Sequence, residues 1–278
     1  MQKVRLSLLA AAGVLSVCSL RAQYADSVVS YNPGAGFTAG YTNPAAALGS
    51  PSRQTVDPDP MFGGTFPVDP FSPPYLPSQL VSIGAGGSLT VRLDTPAVND
   101  PTHPFGVDFI LFGNSGFVIT NGDFSGGGIT GGSLFANNNG STRVSVSSDN
   151  VTYYNLSPAL APTVDGLFPT DGGGDLQKPV NPSLVNHDFS GKDLAGIRAL
   201  YGGSGGGTGF DIAWAQDDKG NAANLPSVNF IRVDVWSDKS EIDGLAVVPE
   251  PATWALACVG AGLFWLKRGS RVNRASAS

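Results

Sequence analysis

The stretch Thr142-Arg143-Val144-Ser145-Val146-Ser147-Ser148-Asp149-Asn150-Val151-Thr152-Tyr153-Tyr154 decides the fold class. Val144 and Val146 alternate with Ser145 and Ser147, the period-two pattern of a strand with one buried face. Ser148-Asp149-Asn150 is turn chemistry, because these short side chains bond to their own backbone. Val151-Thr152-Tyr153-Tyr154 then returns with β-branched and aromatic residues. The spacing predicts a β-hairpin over 142–156.

The same pattern recurs outward from it. Leu89, Val91 and Leu93 alternate with Thr90 and Arg92, and residues 107–112 form an apolar run broken by one Asp, as in a buried strand. Phe210, Ile212 and Trp214 share one face of a predicted strand. Phe230, Arg232, Asp234 and Trp236 stand opposite Ile231, Val233 and Val235, and residues 242–248 close the domain. Residues 26–77 are dense in Pro, Gly and Asn and read as ordered coil along a sheet edge, anchored by Tyr24, Tyr31 and Tyr41. Residues 113–140 read as a long loop or extended hairpin, and residues 193–201 as either a short helix or a strand. Many short strands without amphipathic helices indicate an all-β fold, a β-sandwich or jelly roll with long Gly/Pro/Asn-rich loops. No repeat of fixed period is present, which argues against a propeller or β-helix.

Composition agrees. The whole chain holds 37 Gly and 21 Pro. Residues 23–251 hold nine basic and twenty-two acidic residues, a net of −13, which removes the basic face that nucleic-acid binding needs. Twenty of those acids are Asp, a turn former and poor helix former. Both cysteines, Cys18 and Cys258, lie outside the predicted domain, so neither a disulfide nor thiol chemistry is available to it.

The two ends carry address segments. Lys3 and Arg5 precede an apolar run over 6–20, followed by small residues: a signal peptide over 1–22, cleaved between Ala22 and Gln23. At the other end, Val248-Pro249-Glu250-Pro251 leads into an apolar run over 252–266 and a tail over 267–278 with Lys267, Arg268, Arg271 and Arg274. About fifteen residues in a helix span only ~22 Å, short of the ~30 Å of a bilayer core. The basic cluster places the tail on the cytoplasmic side and the domain, residues 23–247, outside.

This C-terminal segment resembles the PEP-CTERM sorting signal of Gram-negative bacteria that make exopolysaccharide. The resemblance covers residues 248–278 and rests on motif, short helix, basic cluster and position together. It implies transient recognition of Pro249-Glu250-Pro251 by an exosortase, after export through the Sec translocon and signal peptidase, and delivery to the cell surface or extracellular matrix. The hairpin at 144–154 and Glu241-Ile242-Asp243 with the apolar run behind it also resemble discoidin-like, galactose-binding-like sandwiches. In that signature Gly and Trp stand where this chain has Asn150 and Tyr153.

Catalytic chemistry finds little support. His103, in Asp100-Pro101-Thr102-His103-Pro104, and His187, in Asn186-His187-Asp188, read as surface or turn histidines outside any triad or metal motif. Residues 202–209 contain six glycines but no G-K-[ST], so they read as a flexible connection or a close backbone approach. Calcium is the reasonable cofactor expectation, with Asp171 and Asp175 around three glycines as one candidate site and Asp217, Asp218 and Asn221 as another. Trp214 and Trp236 fall at strand-periodic positions, which favours burial; exposed, either would stack on a sugar ring.

These readings describe an exported protein with a structural or adhesive role and no enzyme activity. The alternative is a carbohydrate-binding module for exopolysaccharide, and a third reading is a secreted glycan hydrolase using paired Asp residues.

Overall fold

The period-two segments pair into one antiparallel six-stranded sheet, in the order Ser27–Asn32, Ser88–Val98, Ser227–Val235, Thr142–Ser147, Tyr154–Leu156, Ala215–Gln216. The computed structural model describes residues 23–57, 64–136 and 140–250, all within one compact unit. Ala22, Pro251, the expected membrane helix and Lys267, Arg268, Arg271 and Arg274 lie outside the described residues. The described chain is all-β apart from one α-helix, Leu194–Tyr201, and short 3-10 turns. None of its helices is long and apolar enough to cross a membrane.

Register places the apolar residues on one face. Ile231 stands opposite Val91 on one side and Val146 on the other, and Val233 opposite Leu89 and Val144. A three-stranded sheet, Thr208–Phe210, Phe109–Phe112, Gly244–Val247, contributes Phe109, Leu111, Phe210, Leu245 and Val247 to the same buried cluster. Phe109 and Phe210 stack across adjacent strands with centroids 5.4 Å apart. A further cluster packs Ile197 and Tyr201 of the helix against Phe117 and Phe189.

Residues 193–201 resolve as a helix because both caps are in the sequence. Asp193 accepts from Gly196 N at 2.7 Å, and Gly202 leaves in the left-handed region at φ 59°. Residues 113–140 contain the antiparallel pair Gly116–Ile119 and Thr130–Phe135, the extended-hairpin alternative.

Four expectations need correction. The hairpin returns only at Tyr154, because Ser147 Oγ accepts from the amides of Asp149 and Asn150, and Asp149 Oδ1 from those of Val151 and Thr152. Those amides are spent on the turn and do not enter the ladder. The strand over 210–215 ends at Phe210. Asp211 Oδ1 accepts from Ala213 N at 2.7 Å and caps a 3-10 turn, Ile212–Trp214, so Trp214 leaves the strand face. The closing segment is two strands: Lys239–Ile242 pairs with Val81–Gly84, the chain bends at Asp243, and Gly244–Val247 pairs with Phe109–Phe112. Finally, residues 26–77 are not all coil. Ser27–Asn32 forms the sheet edge, and Gln54–Asp57 pairs with Gly64–Pro67. Two of the expected tyrosine anchors hold this region, Tyr31 Oη donating to Ser82 O at 2.6 Å and Tyr41 Oη to Tyr75 O at 2.7 Å.

Candidate functional site

Two places on the domain gather chemistry-bearing side chains. The first is the outer face of the six-stranded sheet. Register sets Arg232 beside Ser145 and Asp234 beside Arg143, and Ser145 also faces Asn155. These residues alternate with the buried Val144, Val146, Ile231 and Val233, so strand periodicity turns them outward. Asp234 accepts from Arg232 Nε at 2.9 Å and from Arg143 Nη2 at 3.4 Å. With Tyr153 and Asp218 they line an open groove of about 250 Å³. At its edge Trp236 is 62 % exposed, and the Arg143 guanidinium carbon lies 4.8 Å from its ring centroid. Trp236 thus overturns the expectation of core burial: it has the same outward parity as Arg232 and Asp234, opposite the buried Val233 and Val235. Trp214 is half-buried against the main core. An exposed indole against an arginine that lines an open polar groove suits a polyhydroxylated ligand, by stacking on the ring and bonding at its rim.

The second place is where the chain leaves the three-stranded sheet. Val247 pairs with Phe109, and Val248 N donates to Asp108 O at 2.9 Å, extending the ladder by one bond. Two residues on, Glu250 reaches the 100–106 turn. His103 is buried, contrary to its reading as a surface histidine; its side chain is 0 % exposed. It is pulled inward by Asp108, whose Oδ1 lies 2.8 Å from His103 Nδ1 and also accepts from Asp100 N at 3.2 Å, while its Oδ2 accepts from Ile212 N at 2.8 Å. On the ring's other side, Nε2 stands 3.9 Å from Glu250 Oε1, and neither atom has a hydrogen-bond partner among the described residues. One ligand atom each from Asp100, His103 and Glu250 lies within 4.8 Å of the others, the one group of three His, Cys, Asp or Glu so arranged among the described residues. Burial raises the Asp108 carboxyl above its usual range, and burial followed by hydrogen bonding to Asp100 raises that of Glu250. Sequence reading missed this cluster. Its local trace is the D-x-x-H spacing of Asp100 and His103, with Asp108 at the head of an apolar run; Glu250 is distant in sequence.

Of the expected calcium ligands, only Asp218 lines either of these places. Asp171 is buried and gripped by Arg198, with Nε to Oδ2 at 2.7 Å and Nη2 to Oδ1 at 2.9 Å. Asp175 is exposed and caps Gln177 N at 2.9 Å. Asp217 closes its own turn, accepting from Lys219 N and Asn221 N, and hydrogen bonds from the Asn221 side chain and backbone hold its carboxyl below the usual range. Asp218 belongs to the groove. Of the expected processing residues, Gln23 O accepts from Val247 N at 2.9 Å, Val248 is buried, and Pro249 and Glu250 are half-buried. His187 is exposed.

No protein-family model matches this chain, and neither does any curated protein.

Proposed function

We propose that this chain is an exported, non-catalytic protein of the cell surface or extracellular matrix, sorted and processed by an exosortase through Val248-Pro249-Glu250-Pro251. The observation that carries this reading is the order of segments: a charged apolar leader, a cysteine-free β unit, the motif, a short apolar run and a basic tail. The six- and three-stranded sheets share one apolar core, which supports reading the unit as a β-sandwich. Intact-mass analysis and fractionation of the protein from its native host test the proposal. Loss of about the first 22 residues and of the segment beyond the motif, with recovery outside the cell, is the expected result. A complete C-terminus retained in the membrane fraction would make the tail an ordinary anchor.

A second reading is favoured by Trp236. An indole held open against Arg143, which lines the groove with Arg232 and Asp234, supports an adhesive role through carbohydrate binding, with exopolysaccharide as the partner class. Glycan-array binding that disappears in Trp236→Ala and persists in Trp214→Phe is the expected pattern. Binding unaffected by Trp236→Ala would remove the groove from consideration.

A further inference from the structure

We propose that Asp100, His103 and Glu250 bind one divalent transition-metal ion of the zinc class, fastening the chain at Glu250 to the domain. The argument starts from two orphaned atoms. His103 Nε2, on a side chain wholly out of solvent, and Glu250 Oε1 face each other at 3.9 Å. That is too long for a hydrogen bond, and burying either atom without a partner costs free energy. It suits two ligands of one ion, since atoms held ~2.1 Å from a common zinc stand ~3 to 4 Å apart. Asp100 adds a second carboxylate to the group, which lies within 4.8 Å throughout.

The surroundings are those of a histidine ligand. Asp108 accepts from the Nδ1 side of the ring at 2.8 Å, which assigns the proton to Nδ1 and leaves the Nε2 lone pair free on the side of Glu250. Asp108 is itself immobilised by the amides of Asp100 and Ile212. An imidazole ligand favours zinc-class ions over calcium, which takes oxygen ligands. Three protein ligands leave one position of a tetrahedral ion for water.

Metal binding by the full-length chain in detergent tests this, in a Cys18→Ser, Cys258→Ser background so that thiols do not compete. After chelator stripping, equilibrium dialysis against Zn²⁺ alone should load one ion per chain. Glu250→Gln, at the rim of the site, should lower affinity at least ~10-fold, and Asp108→Asn ~10- to 100-fold, as loss of an orienting partner does. Millimolar Ca²⁺ should not displace the zinc. Sub-stoichiometric loading of the wild type, or wild-type affinity retained in both Glu250→Gln and His103→Gln, would overturn the site; a carboxylate pair sharing a proton would give that result.

Glu250 is also the central residue of the proposed sorting motif, so, on that reading, an occupied site competes with processing. In the native host, Asp100→Asn should then be processed faster than wild type. Unchanged processing in a variant that no longer binds zinc would overturn the competition. Absence of processing in the wild type would instead refute the sorting reading, which the dialysis result does not depend on.

Discussion

Arg198 grips Asp171 with a two-pronged contact, Nε to Oδ2 at 2.7 Å and Nη2 to Oδ1 at 2.9 Å. The pair ties the α-helix to the 171–174 turn, whose Gly172 and Gly174 carbonyls are held in turn by Arg53. The Asp171 side chain is 2 % exposed and that of Arg198 44 %, so the carboxylate depends on the guanidinium far more than the reverse. Arg198→Ala should therefore destabilise the protein by about 2–3 kcal/mol, because it strands a buried charge. Arg198→Lys should recover only part of that, since an ammonium cannot reproduce the planar fork. Urea titration at neutral pH measures both; equal stability of wild type and Arg198→Ala would show the pair to be ornamental.

Asp243 stands at the bend between two strands, where burial pushes its carboxyl up to about 7 despite the hydrogen bonds from Ser52 N and Oγ that favour the charged form. The unfolded chain releases this proton near pH 4, the folded chain near pH 7. Between those values the folded state holds the extra proton, so stability from this residue falls as pH rises from about 4 to about 7, and the loss is complete above it. Asp243→Asn removes the titration. Plotted against pH, the stability difference between variant and wild type should grow across this window and level off above it. A difference independent of pH would place the Asp243 pKa at its ordinary value.

Gly207 has φ +79°, and a Cβ there would lie 2.5 Å from Ile110 Cγ2 and 2.8 Å from Phe112 Cε1. Gly207→Ala combines a left-handed alanine with overpacking of a fully buried strand, each worth about 1–2 kcal/mol or more. A loss of about 3 kcal/mol or more is expected in chemical denaturation. An alanine tolerated within ~0.5 kcal/mol would mean that the 202–209 segment is the flexible connection, not a packed one.

Phe210 and Trp236 should respond oppositely to truncation. Phe210 is fully buried and stacked on Phe109, so Phe210→Ala should cost about 3–5 kcal/mol. Trp236 is mostly exposed, so Trp236→Ala should stay within about 1 kcal/mol of wild type in thermal or urea unfolding. Comparable losses would place the indole in the core.

How far the sequence could be read follows from the range of the forces involved. Alternation of Val144/Val146 with Ser145, and of Ile231/Val233 with Arg232, is local, and those apolar residues face the core as their period requires. Asp193 and Gly202 bracket the helix with caps that the neighbouring residues alone supply. Trp214 left its expected strand face because period counting runs past the strand end at Phe210, where Asp211's cap interrupts it, whereas Trp236 keeps the parity of Arg232 and Asp234 and faces outward with them.

The amino-acid sequence by itself determined the β character of the domain, its net acidic charge and the apolar and basic runs at its two ends, since these depend on composition and on spacing within a few residues. Only the tertiary structure decided which polar groups meet. His103 is buried because Asp108 and Asp100 close around it, and Glu250 reaches it because Gly244–Val247 takes the edge of Phe109–Phe112. Asp171, read from the sequence as a loop ligand, meets a helix arginine. The His103–Glu250 and Asp171–Arg198 pairings join residues far apart in the chain, and sheet register sets the first of them, which no local pattern encodes.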